Sequence, residues 1–81
     1  MKFVKTAIDG LFVIELEPVN DERGMFSRTF CAKEFEQHGL VSKVAQCNVS
    51  FNQKAGTLRG LHYQTAPYDE AKLVRCTAGA I

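Results

Sequence analysis

The side chains with most chemical potential in this sequence fall on segments whose polarity alternates. In residues 44–51, Gln46, Asn48 and Ser50 alternate with Cys47, Val49 and Phe51, the period-two pattern of a strand with one polar and one apolar face. Residues 57–64 (TLRGLHYQ) bring Arg59 and His62 into a second such run, and residues 71–77 (AKLVRCT) place Lys72, Val74 and Cys76 on one side with Leu73 and Arg75 on the other. A polar face on an antiparallel strand ordinarily meets solvent. Two amides, an imidazole and a cation equally suit a cavity for a polar, negatively charged small molecule. A histidine side chain, with an ordinary pKa of about 6.5, works as a general base near neutral pH, although a lone histidine between Leu61 and Tyr63 also reads as structural. Strict alternation puts Arg59 opposite His62. Gly60 between them marks a candidate bulge that would turn Arg59 toward the same side.

The same stretch tests for a metal. Metal-holding β-barrels of the cupin type space a glycine and a His-x-His pair as Gly56 and His62 are spaced here, but the second histidine position is Gln64. One imidazole and an amide hold such a metal poorly, so no metal is expected.

These residues need strands to position them. Residues 11–16 (LFVIEL) read as a strand between Asp9-Gly10 and Pro18. Residues 20–24 read as a polar turn, and residues 25–30 (MFSRTF) as a second strand. Residues 32–38 (AKEFEQH) have helical composition, with Gly39 as the stop. Strands over 44–51, 57–64 and 71–77 follow, separated by a turn at 52–56 and a loop at 65–70 around Pro67. The reading is all-β with one short helix, a sandwich or barrel. The final Gly79-Ala80-Ile81 resembles the entry to another strand, so 1–81 reads as a single domain or as the N-terminal part of a longer one.

Bulk properties narrow the function. With 81 residues there is room for one small domain with a thin stability margin. A net charge of +1 gives no electrostatic case for a nucleic-acid or membrane partner. The N-terminus lacks a signal-peptide pattern, and no apolar run is long enough to span a bilayer. Cys31, Cys47 and Cys76, odd in number and widely spaced, fit reduced thiols in a cytoplasm and read as small core hydrophobes.

Residues 56–64 (GTLRGLHYQ) followed by residues 71–76 (AKLVRC) resemble the signature of the dTDP-4-dehydrorhamnose 3,5-epimerase family. Residues 21–24 (DERG) and Gln46-Cys47-Asn48 resemble its upstream blocks in order and spacing, and the resemblance covers essentially the whole chain. It implies a metal-free, cofactor-free cupin jelly roll, here its N-terminal half, and a homodimer with exchanged N-terminal strands. The implied activity is inversion of carbons 3 and 5 of a 4-keto-6-deoxy sugar on a nucleotide diphosphate, for cell-surface polysaccharide. By position, His62 matches the general base and Lys72 the lysine near the 4-keto oxygen. Arg59, Gln46 and Asn48 match substrate-binding positions, while Arg23 and Phe26 match residues that meet the nucleotide across the dimer interface. Two positions depart from the family pattern: Arg28 stands where many members carry glutamate, and Cys47 where the middle residue is acidic. The family's tyrosine acid and the aspartate that orients its histidine lie beyond Ile81, and neither Tyr63 nor Tyr68 matches that tyrosine. The alternative is therefore a truncated, non-catalytic nucleotide-sugar binding or assembly module.

Overall fold

A computed structural model describes all 81 residues, as two compact units, Met1–Cys47 and Asn48–Ile81. The first unit holds all the regular elements: β1 (Lys2–Lys5), β2 (Phe12–Glu15), β3 (Val19–Asp21), β4 (Gly24–Phe26) and α1 (Ala32–Gln37). They form two separate antiparallel hairpins and one helix.

The β1–β2 hairpin pairs Phe3 with Ile14, Val4 with Val13, and Lys5 with Phe12. Its loop is fixed by Thr6, whose hydroxyl accepts from the Ile8 N–H at 3.1 Å and whose own N–H donates to the Leu11 carbonyl at 3.2 Å. Because directly paired residues share a face, Phe3 and Phe12 lie on one side of this ribbon. The helix packs its aromatic side there. Phe35, the one buried hydrophobic side chain at 5 % exposure, meets Phe3 edge-on at 5.5 Å between ring centroids and Phe30 at 4.8 Å. His38 stacks on Phe3 at 4.0 Å, and its Nδ1 lies 2.7 Å from the Glu34 carbonyl, which it meets as a donor.

The helix ends as its sequence demands. Gly39, at φ +69°, lets its N–H reach the Glu36 carbonyl while the Leu40 N–H reaches that of Phe35, a Schellman closure. Its start at Cys31 has no side-chain cap. Glu34 instead gathers charge, with the Met1 ammonium and an Arg28 guanidinium nitrogen each 3.6 Å from Oε1. The Met1 ammonium also pairs with Glu17 at 2.8 Å, which raises the pKa of the amine and lowers that of the carboxyl.

Several expectations are borne out in trimmed form. The strand expected over 11–16 is β2, and the helix expected over 32–38 is α1 with His38 as its C-cap. Of 25–30, only the start belongs to a strand, β4, and of the turn expected over 20–24 only Glu22 and Arg23 lie between strands, since Asn20 and Asp21 belong to β3 and Gly24 to β4. The strands expected over 44–51, 57–64 and 71–77 are absent, since these residues form no regular element. Period-two polarity marks a segment able to pair, but pairing itself requires a neighbouring strand to take up the backbone donors and acceptors. Without one, the intended inward side chains stay in solvent: Val49 is 97 % and Leu58 90 % exposed. The same absence corrects the cysteine reading. Cys31 is half-buried, but Cys47 and Cys76 are exposed, and all three thiols are free.

Candidate functional site

In the first unit, chemistry concentrates on the β3–β4 hairpin. Asp21 faces Gly24 across the ladder, so Glu22 and Arg23 form the turn. The Asp21 carboxylate accepts the Arg23 backbone N–H at 2.9 Å, the arrangement of an Asx turn. It also accepts from the guanidinium, with Nη2 2.6 Å from Oδ2 and Nε 3.3 and 3.2 Å from the two oxygens. That guanidinium holds the Asp21 carboxyl below the usual aspartate range, and the carboxylate raises Arg23 in return. Asp21, Arg23, Gly24, Met25 and Phe26 line an open groove, and Phe26 also borders a second one with Arg28. Arg23 and Phe26 thus lie together, an exposed cation beside an exposed ring, as a phosphate and a base would require. Gln46, near the end of this unit, is exposed and lies on no strand.

The second unit carries Asn48, Arg59, His62 and Lys72, all exposed. Lys72 is the best defined. Its ammonium donates to the His62 carbonyl oxygen at 2.9 Å and pairs with Glu70 at 3.2 Å. The cation is therefore tethered to the backbone of the residue expected to act as base. Arg59 turns elsewhere, with Nη1 donating to the Ser50 hydroxyl at 2.6 Å. Gly60 separates them at φ +87°, and a Cβ there would lie 3.2 Å from the His62 nitrogen, so the position demands glycine. Because no strand forms, Gly60 is not a sheet bulge; it interrupts the alternation by a left-handed residue instead. No group of three or more His, Cys, Asp or Glu side chains is arranged to hold a metal ion.

Two partners escaped the sequence reading. Glu70 gave no usable signal. Asp21 did: an aspartate two residues before an arginine, with glycine next, is the spacing of an Asx turn.

Comparison with known proteins decides the family. The family model described as dTDP-4-dehydrorhamnose 3,5-epimerase matches residues 5–81. The chain belongs to the dTDP-4-dehydrorhamnose 3,5-epimerase family. It is 43 % identical to the dTDP-4-dehydrorhamnose 3,5-epimerase of Shigella flexneri, over 100 % of this chain and 45 % of that protein. It is 42 % identical to the enzyme of that name from Methanothermobacter thermautotrophicus, over 99 % of this chain and 42 % of the relative. A dTDP-4-dehydrorhamnose 3-epimerase from Streptomyces niveus is 33 % identical over 100 % of this chain and 39 % of its own length. The chain thus spans less than half the length of these curated relatives. No solved structure matches it.

Proposed function

We propose that these residues supply the base, the cation and the nucleotide-contacting arm of an epimerase acting on a dTDP-linked 4-keto-6-deoxy sugar. His62 removes the proton from the carbon next to the ketone. The electron pair moves onto the 4-keto oxygen, where the Lys72 ammonium stabilises the enolate as its charge develops. A donor on the opposite face then returns a proton with inverted configuration; the family resemblance implies a tyrosine in that role, and neither Tyr63 nor Tyr68 is assigned it. Arg59, Gln46 and Asn48 contact the substrate, with Arg23 and Phe26 meeting the nucleotide diphosphate. The polypeptide supplies the N-terminal part of a cupin jelly roll in a homodimer with exchanged N-terminal strands, works in the cytoplasm and uses no cofactor. Neither nucleic acid nor membrane is a partner, and no helix is long and apolar enough to cross a bilayer.

The observation that carries this reading is the family match through both His62 and Lys72, together with the 2.9 Å bond tying the lysine to the histidine backbone. The test is solvent exchange. The polypeptide bearing these residues, incubated with dTDP-4-dehydrorhamnose or its unepimerised precursor in deuterium oxide, should place deuterium at carbon 3, carbon 5 or both. The pattern separates the two kinds of relative, since the Streptomyces niveus protein is named a 3-epimerase. The second reading, a non-catalytic nucleotide-sugar binding module, draws on the exposure of His62 and the neutralisation of Lys72 by Glu70. Nucleotide binding with no deuterium uptake would establish that reading instead.

A further inference from the structure

One carboxylate fixes both the backbone and the side chain of Arg23. Asp21 takes the N–H of the turn at 2.9 Å and grips the guanidinium by its Nε and Nη2 edge. Arg23 is nonetheless 83 % exposed, and an ion pair this exposed contributes little to stability. A guanidinium carries five N–H donors in a rigid fork. Gripped along one edge, it keeps the Nη1 donors for a ligand approaching from solvent. Phe26 borders the same groove.

We propose that Asp21 is a positioning residue: by holding the Arg23 guanidinium along one edge, it presents the other edge to the nucleotide diphosphate. The inference rests on the reading of Arg23 as a diphosphate contact. Asp21 removes rotamer freedom from a long side chain before the ligand arrives, which improves binding by about twofold to tenfold. It also brings a negative charge near an anionic ligand. The two effects oppose each other, and salt separates them. At about 1 M salt the screening length falls to about 3 Å, so the longer-range repulsion is muted more than the 2.6 Å contact between Asp21 and Arg23, which weakens but persists.

The test measures dTDP binding to wild type, Asp21→Asn and Arg23→Ala at low salt and at about 1 M salt. Asparagine keeps an oxygen for the Arg23 N–H, so the turn survives, and cross-strand NMR contacts between Val19 and Phe26 report whether it has. Nitrogen-15 NMR of the Arg23 Nε–H, without ligand, reads the pair directly. The expected results are slow Nε–H exchange in wild type, faster exchange in Asp21→Asn, and high-salt dTDP binding about twofold to tenfold weaker in Asp21→Asn. Fast Nε–H exchange in wild type overturns the inference without need of any variant. So does unchanged or tighter high-salt binding by Asp21→Asn while Arg23→Ala loses affinity; that result leaves the diphosphate reading of Arg23 standing. Wild-type affinity in Arg23→Ala, or no dTDP binding by wild type, overturns that reading and the role of Asp21 with it.

Discussion

By the family resemblance, Arg28 stands where a glutamate is expected in many members. Its guanidinium lies 3.6 Å from Glu34 and lines the groove that also holds Phe26. Arg28→Glu places a carboxylate against Glu34 and, because Glu17 also lines that groove, leaves it with two carboxylates in place of an opposed pair. Arg28 is largely exposed but Glu34 is half-buried, so the loss in stability should be on the order of 1 kcal/mol. Relative rates across a panel of nucleotide sugars should shift more than the unfolding midpoint does, and equal relative rates would make Arg28 a bystander. Asp21 gives a pH prediction. Its carboxyl is held low by Arg23, so what the pair adds to the β3–β4 hairpin is present above the ordinary aspartate pKa of about 3.9 and is lost as pH falls through the lower folded value. Carbon-13 titration of the Asp21 carboxyl should show a midpoint below that ordinary value, moving only part of the way up to it in Arg23→Ala, because the backbone N–H of residue 23 still bonds the carboxylate.

At the scale of elements, the packing of α1 on the β1–β2 hairpin depends on Phe35 and the rings of Phe3 and Phe30 around it. Phe35→Ala should cost about 3 kcal/mol, toward the low end for a buried phenylalanine because the surrounding rings are themselves partly exposed. Loss of helical circular dichroism and of the ring-shifted His38 resonances would register it; an unchanged melting curve would contradict this account of the core. The helix and β2 were legible because their signals are local: Gly39 closes the helix through its own backbone, and Asp9-Gly10 begins the strand with a turn. The segments 44–51, 57–64 and 71–77 were misread for the complementary reason. Alternation in Gln46–Asn48–Ser50 records which faces a strand would present, but the hydrogen bonds that make it a strand belong to a partner the local pattern does not name. The candidate site divides the same way. The types and order of His62 and Lys72 were readable, and so was Arg23, whereas the Lys72 bond to the His62 carbonyl and the Arg59 bond to Ser50 are consequences of chain path.

At the scale of the molecule, two units each carry part of the proposed chemistry: the nucleotide-contacting Arg23 and Phe26 in the first, the base and cation in the second. The exposed apolar side chains of the second unit, among them Val49, Phe51, Leu58 and Leu61, are what a jelly-roll core would bury. Family membership rests on residues 5–81, and the central claim is that His62 within that span is the base. The most direct measurement is made on the polypeptide bearing these residues, as wild type and as His62→Asn, by following deuterium uptake at sugar carbons 3 and 5 beside dTDP affinity. The account predicts that His62→Asn loses uptake by a factor of about 100 or more while binding dTDP within a few-fold of wild type. Uptake by His62→Asn at the wild-type rate would contradict it.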